Sequence, residues 1–388
     1  MASAGSAIRV ASAGLVALAV AMGIGRFAFT PILPMMQADA GLSLSAAGWL
    51  AAANYLGYLI GALTAARLPV VPAIRSSLVL IAIVTFGMGL GDHFAVRLVL
   101  RLLAGIASAW VLVNVSAWTL EQLLAQQRLA LSGVVFAGVG VGITGAGALC
   151  MGLMHAEIDS ARTWELFGIM SLLLTAGVWQ AFSTDSPRDV HMKPVPALTQ
   201  HIAWSPDKLL LAACYGAFGF GYIIPATFLP AMARHLVTDP AVFGWAWPVF
   251  GTAAALSTFA AARWLHAMDD RRVWAIAHVL MAVGVVLPVV WPGLTAILIA
   301  ALLVGGTFMV ITMSGLREAR RVASNRAAGF IGALTAAFAV GQVLGPVVVS
   351  AVAGIQHGFA AALIAAAAIL VLTATALWQS AGKQSESV

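Results

Sequence analysis

The sequence predicts an all-α membrane protein whose twelve transmembrane helices form two pseudo-symmetric six-helix bundles. The chain of 388 residues is 62% hydrophobic and only 9% charged, with a mean hydropathy of +0.99, which is far from the composition of soluble domains. Apolar runs of about 18 residues or more, long enough to cross a bilayer as a helix, recur along the whole chain. The first half of the sequence also repeats in the second half, 196 residues later.

Twelve apolar segments of membrane-spanning length follow one another along the chain. The first runs from Val10 to Met36, which is too long for the apolar core of a signal peptide, so it is predicted as a span. Residues 184–206 differ, because they are polar and carry four prolines and charges of both signs, as is typical of a linker. We therefore predict an N-terminal bundle over 1–183 and a C-terminal bundle over 207–388. The predicted spans are 8–36, 44–66, 73–91, 94–119, 128–154, 162–183, 207–233, 241–265, 272–291, 294–316, 327–354 and 358–379.

The repeat relates the two bundles residue by residue and without a gap. Rare residues such as tryptophan, proline, paired glycines and arginines keep one register across two apolar segments and the loop between them. A long membrane chain built from two copies of one bundle is typical of a transporter, in which two halves move around a central site. The matched pairs include Gly23 and Gly219, Gly25 and Gly221, Leu33 and Leu229, Pro34 and Pro230, Met36 and Met232, Gly48 and Gly244, Trp49 and Trp245, Arg67 and Arg263, and Arg75 and Arg271.

The lysines and arginines predict the orientation of the chain. If the N-terminus is inside, fifteen of the twenty basic residues lie on the cytoplasmic side, four on the outer side and Arg26 within the membrane. This positive-inside bias predicts a multi-pass protein of the bacterial inner membrane with both termini cytoplasmic. The bias also explains the pI of about 9.9 through charges dispersed over loops, so no nucleic-acid partner is expected.

Several function classes are disfavoured by what the sequence lacks. The two cysteines, Cys150 and Cys214, both fall inside spans and have no metal-ligand spacing. The sequence contains no GxxxxGK[ST] phosphate loop and no nucleophile–base pattern. We therefore predict no cofactor, no metal and no enzymatic activity. The expected partners of this monomer are the lipid bilayer and a small-molecule substrate, and a proton or a counter-anion is left open as the coupled ion.

Three short motifs carry a family resemblance. They are Arg101-Leu-Leu-Ala-Gly105 on span 4, Gly138-Val-Gly140-Val-Gly142-Ile-Thr-Gly145 on span 5 and Gly341-Gln-Val-Leu-Gly345-Pro346 on span 11. With the 6+6 duplication, these motifs make the chain resemble the major facilitator superfamily. The resemblance implies rocker-switch alternating access, with Arg101 in proton or substrate handling and with gating at Gly142, Gly145, Gly345 and Pro346.

A loop motif of that superfamily is kept in one half only. After span 2, where the family normally has Gly…Asp-Arg…Gly-Arg, residues 57–75 keep glycines and arginines but no acid. The counterpart after span 8 retains Asp269, Asp270, Arg271 and Arg272. The resemblance therefore implies gating contacts at Asp269 and Arg271 in the second half, and puts the usual salt bridge of the first half in doubt.

A narrower resemblance rests on about forty residues. It is carried by Gly23-Ile-Gly-Arg26-Phe-Ala-Phe-Thr-Pro31-Ile-Leu-Pro34-Met-Met and by Ala47-Gly-Trp49-Leu-Ala-Ala-Ala-Asn54-Tyr55-Leu-Gly-Tyr58. These segments resemble the YbfB/YjiJ-like branch of bacterial transporters. That likeness implies a fold and a class of protein, but no substrate.

Arg26 is the strongest candidate for a functional side chain. It lies about ten residues, or about 15 Å of helix, from the outer end of span 1, near the bilayer midplane, where an arginine costs at least about 2.5 kcal/mol. Its counterpart in the second half is Tyr222, so this position diverged while the flanking glycines and prolines were kept. Arg26 is predicted to bind substrate or to take part in coupling. The alternative is a structural role, in which it binds backbone carbonyls freed by Pro31 and Pro34.

The distribution of acids favours an anionic substrate. No Asp or Glu maps to mid-depth of a span, and only Glu121 and Glu165 approach the membrane. A carrier of organic cations usually needs a buried carboxylate, whereas an arginine fork matches a carboxylate. We therefore expect a small organic anion bound near Arg26, although a neutral amphiphile needs no counter-charge. Proton coupling would run through Glu121, Glu165 or a histidine, whereas anion exchange or uniport needs none of them.

Further polar and aromatic residues are expected to line the central cavity. Trp110 and Asn114 share one face of span 4, about 140° from Arg101, so both faces cannot point into the cavity. For each of these residues, hydrogen bonding or packing between helices is the alternative role. The candidates for substrate binding besides Arg26 are Asn54, Tyr55, Tyr58, Arg101, Trp110, Asn114, Tyr215, Tyr222, Thr307 and Gln342.

The sequence leaves three other functions open besides an anion carrier. A multidrug or metabolite/proton antiporter that exports amphiphilic compounds would bind cationic amphiphiles, and the missing mid-membrane acid counts against it. A receptor without flux usually has a sizeable signalling loop, and the longest loop here is about 24 residues. An intramembrane enzyme would need a catalytic constellation that the sequence does not suggest.

Overall fold

A computed structural model describes residues 4–128, 131–182, 204–237, 239, 242, 244–264, 268–323 and 327–385. Within these residues the chain forms twelve long helices, which confirms the predicted fold class. The predicted linker falls almost entirely on residues 183–203, outside the described residues. The helices are α1 (in three segments, Ala4–Leu18, Ala19–Arg26 and Phe29–Asp39), α2 (Leu44–Thr64), α3 (Val70–Gly87), α4 (Phe94–Ala125), α5 (Ser132–His155), α6 (Ser160–Val178), α7 (Pro206–Leu236), α8 (Ala246–Trp264), α9 (Asp270–Val290), α10 (Leu294–Ala323), α11 (Ala327–Val352) and α12 (Gly358–Ser385).

Ten of these helices are long and apolar enough to cross a membrane on composition alone. The other two, α6 and α8, are long enough but less apolar. Helix α6 carries Arg162 and Glu165, and α8 is rich in alanine and weakly polar residues. The predicted spans agree with the helices to within a few residues, except that α4, α10 and α12 each continue six or seven residues beyond the predicted span. Hydropathy marks where a helix leaves the membrane, whereas the backbone continues until it is capped.

Helix α1 is broken close to its middle. Residues Ala19–Arg26 are π-helical, and the amide of Phe27 donates to the carbonyl of Met22 at 3.0 Å, five residues back. Pro31 follows shortly after; it has no N–H and its ring clashes with the preceding turn, so a regular α-helix cannot pass through this region. The π-helical segment ends on Arg26, which fixes the direction of that side chain.

The repeated glycines mark equivalent helix crossings in the two halves. A Cβ atom on Gly23 would lie 2.5 Å from the backbone of Gly142, where α1 crosses α5. A Cβ atom on Gly219 would collide with the carbonyl oxygen of Phe338, where α7 crosses α11. Small residues let helices approach this closely. The repeated glycines therefore lie at the same type of helix crossing in each half of the chain.

The two halves meet through three helix pairs, α1 with α7, α2 with α11 and α5 with α8. At the end of the molecule that carries the α1–α2 loop, hydrogen bonds join them directly. Thr30 donates to the carbonyl of Ala226 at 3.0 Å, and Ser350 to that of Ser45 at 3.0 Å. Arg234 donates to the carbonyl of Pro34 at the same end. This end of the interface is closed in the structure.

Candidate functional site

Arg26 lies at the interface between the two halves, with 2% of its surface exposed. Its Nη2 atom donates to Oε1 of Gln342 on α11 at 2.6 Å. The guanidinium also stacks over the ring of Tyr58, 3.6 Å from the centroid, and faces Tyr55 at 5.5 Å. Cation–π contacts of this kind stabilise a desolvated cation by up to about 2 kcal/mol. Arg26 therefore connects the first half of the chain to the second.

Gln342 connects Arg26 to a layer of aromatic rings formed by Tyr222, Phe308 and Phe338. Its side-chain nitrogen donates to the hydroxyl of Tyr222. Tyr222 stacks on Phe308 and Phe338, with ring centroids 4.9 and 5.6 Å away. Arg26 and Tyr222 occupy matched positions of the repeat, and Gln342 bridges them. The site thus lies on the pseudo-symmetry axis of the molecule, with a cation on one side and stacked rings on the other.

The charge of Arg26 has no counter-charge in the described part of the chain. The ion pairs found there involve neither Arg26 nor Arg101. The Nε atom of Arg26 is buried and has no hydrogen-bond partner among the described residues. A buried cation without an anionic partner is unfavourable. The site is therefore suited to receive an anion.

Arg101 supports the break in α1. It donates to the carbonyl of Arg26 at 3.2 Å and more weakly to that of Gly25 at 3.5 Å. Asn54 donates to the carbonyls of Gly25 and Arg101, at 3.3 and 3.0 Å. Arg26 itself has no hydrogen bond to a backbone carbonyl among those found in the described residues, where its partner is Gln342. These two residues hold the backbone that carries Arg26.

Two further predicted binding residues border the same centre without reaching Arg26 by hydrogen bonds. Tyr55 shares a hydrogen bond of 3.1 Å with Thr227 across the interface. Tyr215 extends the aromatic layer, 5.5 Å from Phe338. Thr307, in contrast, donates to its own helix, at the carbonyl of Leu303, 2.7 Å away. Among the described residues, no contact of Thr307 connects it to this site.

Trp110 and Asn114 are not brought into this cluster. The indole nitrogen of Trp110 donates to Thr64 at 2.9 Å, and the amide of Asn114 to the carbonyl of Trp110 at 2.9 Å. Both residues lie further along α4 than Arg101, by about 14 and 20 Å of helix respectively. Their hydrogen bonds tie α4 to α2 and to itself. Trp110 and Asn114 thus make their contacts on another part of α4 than Arg101, as the predicted angle of about 140° between their faces implies.

The two acids nearest the membrane also lie apart from the site. Glu121 is exposed and follows Arg101 by twenty residues, or about 30 Å along α4. Glu165 is half-buried near the start of α6, beside Gly89 of the α3–α4 loop. Neither carboxylate contacts Arg26 in the described part of the chain. A proton path from either acid to the site would have to cross a large part of the bundle.

The predicted gating positions on α5 and α11 have different environments. Gly142 forms the close crossing with α1, whereas Gly145 is exposed and has open space around it. Gly345 faces Ile223 of α7. The carbonyl of Pro346 accepts a hydrogen bond of 2.9 Å from Ser350. Gly142 and Gly345 therefore set the spacing of helices, and Pro346 lies at the contact between α11 and α2.

The motif retained after span 8 forms a buried charge cluster, defined by Asp207, Arg271, Glu318 and Arg321. Arg271 binds Asp207 with two hydrogen bonds of 2.6 and 2.7 Å and also contacts Glu318. Arg321 binds the same Glu318 at 2.7 Å. The cluster joins α7, α9 and α10. Asp269, in contrast, caps α9 by accepting from the amides of Arg271 and Arg272.

The matching position in the first half is built differently. Arg75 donates to the carbonyl of Trp179 at 3.1 Å and stacks over its ring at 4.8 Å. An aromatic contact thus takes the place that carboxylates have around Arg271. This agrees with the loss of acids from the first loop motif.

Sequence reasoning missed three features of the site. It did not identify Phe308 and Phe338, the π-helical segment, or the burial of Glu318. Phe338 and Gln342 are four residues apart, so they share a face of α11, and this spacing was a usable signal. Glu318 has two partners, Arg321 three residues away and Arg271 47 residues away along the chain. The spacing to Arg321 was a usable local signal, whereas no local pattern reports the pairing with Arg271.

Comparisons with known proteins agree with this architecture. A family model described as "Uncharacterised MFS-type transporter YbfB" matches residues 18–378. A chloramphenicol resistance protein of Streptomyces lividans is 27% identical over 380 residues, covering 92% of this chain and 94% of that protein. The nucleoside transporter NupG superposes with a TM-score of 0.73 at 12% identity, over 96% of this chain and 98% of that one. A bacterial homologue of the lysosomal transporter Spinster, solved in an inward-facing and occupied conformation, gives 0.72 at 14% identity over 95% of each chain.

Proposed function

Because the chain belongs to the family of YbfB-like major facilitator transporters, we propose that it carries a small organic anion across the bacterial inner membrane by alternating access. The observation that carries this proposal is the buried guanidinium of Arg26, which lies between the halves without a counter-charge in the described residues. A carboxylate or similar anion would offset that charge and satisfy the free Nε atom.

The movement proposed is a rocking of the two halves, 1–183 and 207–388, around Arg26. If both termini are cytoplasmic, as the basic residues predict, the closed end of the interface is the outer one. Opening that end requires breaking the bonds of Thr30, Ser350 and Arg234 to the opposite half. Each is a single hydrogen bond from a side chain to a carbonyl. Because one such bond contributes only about 1 kcal/mol, this end can open and close reversibly.

The coupling proposed is exchange against another anion, or uniport. This is supported by the positions of Glu121 and Glu165, which lie away from Arg26, and by the lack of an ion pair between Arg26 and an acid in the described part of the chain. Removing either carboxyl group is therefore expected to leave anion binding unchanged.

The test is ligand-dependent thermal stability of the purified full-length chain. Ligands that bind the folded state raise its melting temperature, by mass action. We expect small carboxylates to raise it for the wild type and not for Arg26→Ala. Arg162→Ala is the matched control, since Arg162 is a largely exposed arginine at the start of α6. Equal stabilisation of the wild type and Arg26→Ala would contradict the proposal.

A second candidate function is export of a neutral aromatic amphiphile. It is favoured by the likeness to a chloramphenicol resistance protein and by the stacked rings of Tyr222, Phe308 and Phe338. Under this candidate, chloramphenicol would stabilise the protein and Arg26→Ala would not weaken the effect. Carboxylates would have no effect on either protein.

A further inference from the structure

We infer that the substrate is a planar aromatic monoanion, whose carboxylate replaces Gln342 between Arg26 and Tyr222 and whose ring packs against the aromatic layer. This inference rests on the proposed function and adds two things to it. It assigns Gln342 as an internal stand-in for the substrate, and it names the chemical class that the site selects.

The hydrogen-bond geometry around Gln342 carries the first part. One end of its amide accepts from Arg26 at 2.6 Å, and the other end donates to the hydroxyl of Tyr222. Gln342 is itself fully buried. A tyrosine hydroxyl can either accept or donate a hydrogen bond, whereas an ionised carboxylate only accepts. A substrate carboxylate can therefore accept from Arg26 with one oxygen and from Tyr222 with the other, once Gln342 has withdrawn.

Charge makes this replacement favourable. The bond from Arg26 to Gln342 joins a cation to a neutral amide and leaves the positive charge uncompensated. A bond from the same guanidinium to a carboxylate joins two opposite charges, so it keeps the hydrogen bond and also compensates the buried positive charge. In the absence of substrate, the amide of Gln342 thus keeps Arg26 hydrogen-bonded, and a substrate carboxylate replaces it.

The walls of the site carry the aromatic preference. The ring of Tyr58 covers one side of the guanidinium, and Tyr222 lies in a layer with Phe308 and Phe338. Phe338 is half-buried, whereas Tyr222 is fully buried, so Phe338 is the ring of this pair that retains exposed surface. Aromatic pairs add about 0.5–1.5 kcal/mol beyond burial of area. A planar aromatic group can make such contacts here, and a flexible aliphatic chain cannot.

The positions of the two buried arginines favour a substrate with a single charge. Both Nη atoms of Arg101 already donate to backbone carbonyls, those of Gly25 and Arg26, and only its Nε atom has no partner among the described residues. Arg26, in contrast, is bound by the side chain of Gln342, which a ligand can replace. One carboxylate can therefore reach an Nη atom at this site, and a second would need to displace backbone carbonyls from Arg101.

Replacement of Gln342 also links binding to movement. Arg26 belongs to the first half and Gln342 to the second, so their bond holds the halves together across the interface. When a substrate takes the place of Gln342, that direct bond between the halves is exchanged for bonds to the ligand. Substrate binding then decides whether the halves stay joined near Arg26, because the direct bond between Arg26 and Gln342 is no longer present.

The experiment measures binding to the purified full-length chain by calorimetry. The ligands are benzoate, cyclohexanecarboxylate, succinate and neutral benzyl alcohol. We expect benzoate to bind about three- to tenfold more tightly than cyclohexanecarboxylate, and about tenfold or more tightly than succinate and benzyl alcohol. In Gln342→Glu, the introduced carboxylate neutralises Arg26, so benzoate affinity falls by about ten- to a hundredfold. In Gln342→Leu, of similar size, the competitor is removed and benzoate affinity is kept or increased.

Two results would overturn the inference. One is equal benzoate affinity of Gln342→Glu and the wild type, and the other is an equal loss in Gln342→Leu and Gln342→Glu, which would make Gln342 a ligand of the substrate. If Gln342→Glu does not fold, Gln342→Leu and the ligand series still decide. Binding of cyclohexanecarboxylate as tight as that of benzoate, and dependent on Arg26, refutes the aromatic class but leaves the proposed function standing. Binding of benzyl alcohol alone refutes the proposed function itself.

Discussion

The buried charge cluster of the second half gives a stability prediction that the structure specifies in detail. Glu318 is fully buried and accepts from both Arg271 and Arg321, while Arg271 has 1% of its side chain exposed. The remaining acid of the cluster, Asp207, is 38% exposed. The two acids therefore differ in environment although both bind Arg271. We use that difference to predict the effects of Glu318→Gln and Asp207→Asn.

The expected magnitudes follow from burial. Removing one partner of a buried ion pair costs about 3–5 kcal/mol when the other charge is left buried without compensation. Glu318→Gln keeps one acceptor oxygen and leaves Arg271 paired with Asp207, so we expect the lower end of this range, about 3 kcal/mol. Asp207→Asn should cost about 1 kcal/mol at most, since exposed pairs contribute little. At about 2 °C per kcal/mol for a large chain, the melting temperature falls by about 6 °C and about 2 °C, respectively.

The assay is the melting temperature of the purified protein in one detergent without ligand. The double variant Arg271→Met with Glu318→Met is the control, because removing both charges avoids the unpaired cation. It should recover more than half of the stability that Glu318→Gln loses. A loss in Glu318→Gln no larger than in Asp207→Asn would refute the reasoning, since burial would then not decide the cost.

Three further predictions concern the site and its closure. Arg101→Ala removes a donor from the backbone that carries Arg26, so binding of benzoate should weaken by about tenfold; calorimetry checks this, and unchanged affinity contradicts it. Gly48→Val places a side chain against Ser350 and the carbonyl of Pro346, so it should hold the α2–α11 contact open and raise labelling of a cysteine introduced at Ser45, whereas Gly91→Val, in open space, should not. Glu121→Gln and Glu165→Gln should each leave benzoate affinity within about twofold of the wild type, and a larger loss would place a carboxylate in the site.

The fold could be predicted because its determinants are local and periodic. Membrane length and hydropathy mark the spans, and the repeat from Gly23 onward marks the two equivalent crossings. The ends of α4 and α10 could not be predicted in the same way, because a helix that has left the apolar region continues as long as its backbone is satisfied. The agreement is therefore good for the existence of the helices and weaker for their ends.

The centre of the site was predicted in part. Arg26 stood out because a mid-membrane cation needs a reason, and Gln342 and Tyr222 were candidates as polar residues on their helices. Their direct connection could not be predicted, because Arg26 and Gln342 are 316 residues apart in the chain. The hydrogen bonds from Arg101 to the carbonyls of Gly25 and Arg26 could not be predicted either. Helical periodicity assumes a regular α-helix, whereas the π-helical segment of α1 changes the direction in which these carbonyls point.

The central claim is that the protein transports a small organic anion that binds at Arg26. Flux measured in proteoliposomes tests this claim most directly. Vesicles loaded with unlabelled benzoate and diluted into a trace of labelled benzoate report exchange by the carrier. We predict that the wild type and Arg162→Ala accumulate the label and that Arg26→Ala, reconstituted to the same density, does not. Accumulation by Arg26→Ala at the rate of the wild type would contradict the account. Transport of chloramphenicol and of no carboxylate, equal in all three proteins, would contradict it as well.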